Sequence, residues 1–222
     1  MSTIPPPAPT RVALPSRRVV MTWLIIAINV IVWLLMELNG GSENSDTLIA
    51  FGAKVNELID QGQVWRLLTA MFLHIGIIHL AVNQYSLYAV GTLLERFMGA
   101  TRFAILYVLA GLCGSLASYW FSPNAISAGA SGAIFGLLGA LGIFFLLHRR
   151  LFGPAGNRML ANIVAVAAIN LVLGASFAGI DNFAHVGGLL GGVALGALLT
   201  PRYEIMRDLN GVPQVRRRDS FF

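Results

Sequence analysis

Six apolar stretches, Val19–Met36, Ile75–Leu94, Phe103–Phe121, Gly129–Leu147, Met159–Phe177 and Phe183–Thr200, approach the length a helix needs to cross ~30 Å of hydrocarbon. Nothing else in the chain constrains its fold as strongly. Only 11% of the residues are charged and 56% are hydrophobic, whereas a soluble domain carries roughly 25% charged residues. The expected class is therefore an all-α membrane protein with six spans. The first stretch is long, runs into Glu37 and lacks a clean small-residue cleavage site, so it reads as a retained span rather than a cleaved signal. A single cysteine, Cys113, excludes an intrachain disulfide.

Charge orients the bundle. Of the fifteen Lys and Arg residues, all but Lys54 and Arg66 fall before the first stretch, between the second and third, between the fourth and fifth, or after the sixth. An even number of spans puts those segments on one side, and the excess of positive charge makes that side cytoplasmic. Both termini are expected there. The net charge of +5 is spread over the ends of apolar segments, which fits membrane topology and not nucleic-acid binding. Residues 1–18, with Pro5, Pro6, Pro7, Pro9 and Pro15, read as a flexible tail, 19–200 as the helical core, and 201–222 as a loose basic tail near lipid headgroups. The long segment from Leu38 to His74 is too polar to cross the bilayer and too apolar to float free. It reads as a short helix or hairpin on the outer membrane surface, with Trp65 at headgroup depth.

Polar side chains inside the apolar stretches are few, and their depth is informative. His79 and Asn83 lie in the first turns of the second stretch, Ser131 in that of the fourth, and His185 in that of the sixth. All three stretches enter from the outer side, so at a rise of 1.5 Å per residue these groups share a level within ~15 Å of the boundary. Ser131 sits in Gly129-Ala130-Ser131-Gly132, where small neighbours admit a substrate carbonyl to the hydroxyl. A serine packed between helices is the plainer reading of that motif alone. His185 would supply the base such a hydroxyl needs. Gly187, Gly188, Gly191, Gly192 and Gly196 on the sixth stretch, and Gly132, Gly136 and Gly139 on the fourth, would let the two backbones approach. Phe135, one turn beyond Ser131, could pack on the His185 ring or simply face the core or lipid. His79 and Asn83 share a helix face and could hold a developing oxyanion or form a polar clamp between helices. Asp181 could orient His185 or cap its helix. A metal site from His74, His79 and His185 lacks a His-Glu-x-x-His pattern or an in-membrane carboxylate, so no metal is expected.

Taken in order, Trp65-Arg66, the His74-x4-His79-x3-Asn83 run, Gly129-Ala130-Ser131-Gly132 and Ala184-His185-Val186-Gly187-Gly188 make residues 19–200 resemble the rhomboid intramembrane serine proteases. The resemblance implies a six-helix rhomboid-like bundle with an interfacial loop between helices 1 and 2. It also implies a Ser131–His185 dyad without an acid, and an oxyanion site from the Ser131 N–H, His79 and Asn83. Gly129, Gly132 and Phe135 support that site; many members have tyrosine where this chain has Phe135. No cofactor is implied. The implied partners are single-span or polytopic membrane proteins, cut near the outer face after a small residue, and membrane lipids. A bacterial inner membrane is the expected location. Two other classes stay open at this level: an inactive rhomboid-like protein that binds membrane clients, and a channel or small-solute transporter. The sequence leaves the substrate and the oligomeric state open.

Overall fold

A computed structural model describes residues 16–177, 179–207 and 213–218, and each apolar stretch is helical over most of its length. In chain order the helices are α1 (Met21–Leu38), α2 (Ser45–Phe51), α3 (Asn56–Asp60), α4 (Arg66–Thr69), α5 (Gly76–Ser86), α6 (Thr92–Met98), α7 (Ala100–Phe121), α8 (Ser131–Leu147), α9 (Arg149–Ser176) and α10 (Asn182–Leu199). A π turn over Leu87–Gly91 joins α5 to α6 into one rod. Helices α1, α7, α9 and α10 are long and apolar enough to cross a membrane. A fifth span is reached if the segments Arg66–Phe72 and Gly76–Met98, bent by 91°, count as one. The expectation of six is met only by adding α8, which is apolar but has 17 residues. Most of the expected N-terminal tail lies outside the described residues.

The bundle is built around α8, whose side chains are buried along nearly its whole length. Glycine makes this possible. A Cβ at Gly188 or Gly192 of α10 would lie 1.9 Å from the carbonyl oxygen of Gly132 or Gly136 of α8, so the two backbones are in direct contact. The neighbouring series on α10 faces α7 instead. A Cβ at Gly187 would meet Ala117 Cβ at 2.4 Å, and one at Gly191 would meet Cys113 Cβ at 2.7 Å. The two interleaved glycine series thus seat α10 in the groove between α7 and α8. Such close approach gains van der Waals contact where lipid offers no hydrophobic drive for helices to associate. By contrast α9 leans on α8 and leaves Val164, Ile169, Val172 and Leu173 exposed. Its first turn breaks at Gly153, in a positive-φ conformation (φ 52°), just before Pro154.

Polar groups fasten the ends. Helix α1 has no cap from its own sequence. The buried Glu95 carboxylate on α6 accepts from the N–H groups of Val20, Met21 and Thr22, each at 2.8 Å, and from Thr22 Oγ1 at 2.7 Å. These are N–H groups that a helix start leaves without partners. The long segment before α5 folds as α2, α3 and α4. Asn44 caps α2 and Gly52, at φ 100°, ends it. Arg66 Nη1 donates to the carbonyls of Ile49 and Ala53 at 2.8 and 3.0 Å, pinning α4 to the end of α2.

The C-terminal end departs from expectation. Residues after Arg202 read as a loose tail, yet Tyr203–Arg207 (β1) and Pro213–Arg217 (β2) pair antiparallel, with Tyr203 opposite Arg217. Tyr203 anchors the hairpin. Its hydroxyl donates to Phe97 O at 2.7 Å and its N–H donates to His148 Nε2 at 3.0 Å. His148 is buried, its ring tilted against those of Phe144 and Tyr203.

Candidate active site

Ser131 is the first residue of α8, preceded by Gly129 at φ 142°, a backbone conformation that an L side chain rarely adopts. The Gly129 N–H donates to Ala70 O at 2.9 Å, which fixes the approach to the helix. Across the bundle His185 lies in the first turn of α10. Its Nε2 is 2.9 Å from Ser131 Oγ, a hydrogen bond between residues 54 apart in sequence. The His185 ring is buried and stacks on Phe135, with centroids 4.3 Å apart and planes inclined by 10°. Serine, histidine and phenylalanine are therefore together.

His79 stands on the other side of Gly129. A Cβ there would lie 2.8 Å from His79 Cε1, 3.0 Å from its Nε2 and 3.8 Å from Ser131 Oγ, so only glycine leaves room for this ring beside the serine. The Ile75 N–H donates to His79 Nδ1 at 3.3 Å, which places the proton of a neutral ring on Nε2. That nitrogen lies close to Gly129. Asn83 is buried one turn on, and one amide hydrogen donates to His79 O at 3.0 Å. Gly132 has a different task. A Cβ there would sit 3.2 Å from Ala184 O, so it lets α8 meet α10 next to the serine–histidine pair.

His74 is fully buried behind His79, ring centroids 5.3 Å apart, and accepts from Gln84 Nε2 at 3.4 Å. Gln84 Oε1 in turn accepts from Asn29 at 3.3 Å, tying α1 to this layer. Among the described residues no three His, Cys, Asp or Glu side chains are grouped as a metal ion would require.

Of the two readings of Asp181, the structure shows the cap. Its Oδ1 accepts from Ala184 N–H at 3.0 Å, and its Oδ2 accepts from Ser127 Oγ at 2.8 Å and from Ser118 Oγ. Lys54 closes this end of the bundle. It pairs with Ser127 as a β-bridge and donates to Ser122 O at 2.6 Å and Ala125 O at 3.3 Å. Burial pulls its pKa below the ordinary lysine value, opposed by the charges of Asp181 and Glu57.

Asn182 is a contact that sequence reading missed. Its Oδ1 lies 3.3 Å from His185 Nδ1, and its Nδ2 donates to Leu171 O on α9 at 2.9 Å. The available signal was its position three residues before His185, on the same helix face.

A family model for the rhomboid domain matches residues 61–202. The chain belongs to the rhomboid family. Over 178 residues it is 51% identical to the rhomboid protease GluP of Bacillus subtilis, a stretch covering 80% of this chain and 34% of that protein. It is 42% identical over 164 residues to RHOMBOID-like protein 7 of Arabidopsis thaliana, covering 72% of this chain and 52% of the relative. With the putative rhomboid protease YdcA of B. subtilis it shares 32% identity over 183 residues, covering 81% and 88%. The chain thus spans about a third of the length of the first relative and about half of the second. With its apolar helices, this rhomboid is an integral membrane protein.

Proposed function

We propose that this rhomboid is an intramembrane serine endopeptidase that cuts transmembrane segments of other membrane proteins near the outer face. The observation that carries the reading is the 2.9 Å contact between Ser131 Oγ and His185 Nε2, made by residues on different helices inside an apolar bundle. In the proposed bundle α8 is the fourth of six spans, both termini are cytoplasmic, α2–α4 lie at the outer surface, and the home is a bacterial inner membrane.

His185 Nε2 takes the Ser131 proton as Oγ attacks the substrate carbonyl carbon. The negative charge that develops on the carbonyl oxygen is met by the Ser131 N–H, which the first turn of a helix leaves without an intrahelical partner. His79 Nε2–H and the second amide hydrogen of Asn83 complete the oxyanion site. His185 then gives its proton to the leaving amine, and a water hydrolyses the acyl-enzyme by the same route in reverse. Phe135 holds the imidazole plane throughout. A substrate helix hides its carbonyls in hydrogen bonds, so helix-breaking residues near the cut favour cleavage.

The test is cleavage of a single-span substrate by the detergent-purified chain, compared with Ser131→Ala and His185→Ala. Both variants are expected to lose cleavage by at least ~10³-fold while melting near the native temperature. Cleavage that survives Ser131→Ala overturns the mechanism. A native chain that binds membrane clients yet cuts none, in detergent and in lipid, overturns the protease reading in favour of client binding.

A further inference from the structure

A histidine serves as base only when the proton of its neutral ring sits on the nitrogen away from the nucleophile. In His185 that nitrogen is Nδ1, and the group facing it is Asn182 Oδ1 at 3.3 Å. An amide side chain can present either oxygen or nitrogen, so something must fix which one faces the ring. The Leu171 carbonyl on α9 does so. It can only accept, and it receives Asn182 Nδ2 at 2.9 Å, leaving the amide oxygen turned to His185. A backbone carbonyl on one helix thereby fixes an amide on the next, the amide fixes the proton on Nδ1, and Nε2 is left as the acceptor opposite Ser131 Oγ. Asp181, the carboxylate nearest in sequence, is engaged by Ala184, Ser127 and Ser118.

Resting on the protease reading above, we infer that Asn182 is a positioning residue that sets the tautomer and orientation of His185, and that its own orientation is set by the outer end of α9. The second half follows from packing. Gly174, one turn beyond Leu171 on α9, is buried against this amide: a Cβ there would lie 2.2 Å from Asn182 Oδ1 and 3.0 Å from its Cγ. Helix α9 touches α10 only lightly elsewhere. A shift of its outer end withdraws the Leu171 carbonyl and frees the amide to turn, so the seating of α9 governs the readiness of the base.

The experiment reads activation of Ser131 without depending on substrate entry. A fluorophosphonate probe reacts as Ser131 Oγ forms a bond to phosphorus and fluoride leaves, with the hydroxyl proton passing to His185. Labelling rates are measured on the full chain in detergent for the native protein, Ser131→Ala, His185→Ala, Asn182→Ala, Asn182→Asp, Gly174→Ala and the double variant Gly174→Ala/Asn182→Ala, each with its melting temperature. Asn182→Ala is expected to label roughly 10-fold or more slowly than native, the direction expected when a base loses the partner that fixes its proton. Asn182→Asp is expected to recover most of that rate, because a carboxylate presents an oxygen whichever way it turns. Gly174→Ala should slow labelling when Asn182 is present and add nothing when residue 182 is already alanine, a non-additivity that a merely structural effect would not produce. Native-rate labelling of Asn182→Ala overturns the inference alone. So does additive loss in the double variant, or equal loss in the Ala and Asp variants. A native chain that fails to label, or labels as fast without His185, overturns the protease reading and this inference with it.

Discussion

At the scale of single residues the site is a set of rings packed among small neighbours. Phe135 lies over His185 at 4.3 Å, and an offset ring pair of this kind contributes about 0.5–1.5 kcal/mol beyond its buried area. Under the proposed mechanism that contribution restrains the imidazole during two proton transfers. Phe135→Leu keeps an apolar side chain in the buried position but removes the ring. It is expected to lower kcat/KM for a single-span substrate by roughly 3–10-fold with little change in melting temperature. Phe135→Tyr keeps the ring and should stay within about twofold of native. Native activity in Phe135→Leu would show that the stacking does nothing for the base. Ser131, His185 and Phe135 could be found in the sequence because a helical residue's depth and face follow from counting along an apolar stretch. Asn182 could not, since an asparagine at a helix start reads first as capping material. What distinguishes it is a carbonyl on another helix, which no local pattern displays.

Between elements, the decisive question is how near two helix backbones come. Gly192 brings α10 onto α8 so closely that an added Cβ would lie 1.9 Å from Gly136 O and 2.4 Å from its Cα, and backbone cannot move aside as a flexible side chain can. Gly192→Ala is therefore expected to destabilise the chain by about 1–3 kcal/mol or more, read as a lower melting temperature in detergent. Gly142, on α8, sets the contrast: a Cβ there finds only Leu160 Cδ1 and Ile163 Cγ2, both at 3.7 Å. Gly142→Ala should leave the melting temperature unchanged or raise it, because alanine in a helix is favoured over glycine by about 1 kcal/mol. Equal melting of the two variants would mean that the interleaved glycines do not set the packing. Sequence periodicity located the helices and these stripes, since both rest on local repetition. The β1–β2 hairpin escaped it because its anchors, Phe97 O and His148 Nε2, are long-range. The break in α9 was missed for a simpler reason: Gly153 and Pro154 lie before the stretch taken as apolar.

For the molecule as a whole, burial decides which of the charges in the sequence reach the surface. Lys54 and Arg66 are the two basic residues on the proposed outer side, and both are buried, 1% and 5% exposed, donating to backbone carbonyls and, from Arg66 Nε, to Gln63 Oε1. Glu43, Asp46, Glu57 and Asp60 on the same side are exposed. At the opposite end Arg149 and Arg150 are exposed on the first turn of α9. The proposed outer surface thus presents acidic side chains and covers both of its basic ones, while the proposed cytoplasmic placement of the termini rests on the count of Lys and Arg. Single cysteines test it directly, in a Cys113→Ser background that removes the native thiol. Gln61→Cys, exposed just past the end of α3, is expected to react with a membrane-impermeant maleimide in intact bacterial cells. Arg149→Cys should react only after the cells are permeabilised. The reverse pattern would invert the bundle and move the Ser131–His185 pair to the cytoplasmic side, where cleavage near the outer face is excluded. Equal labelling of both sites in intact cells would put them on one side, with an even number of spans between them instead of three, and the six-span arrangement would fall with it.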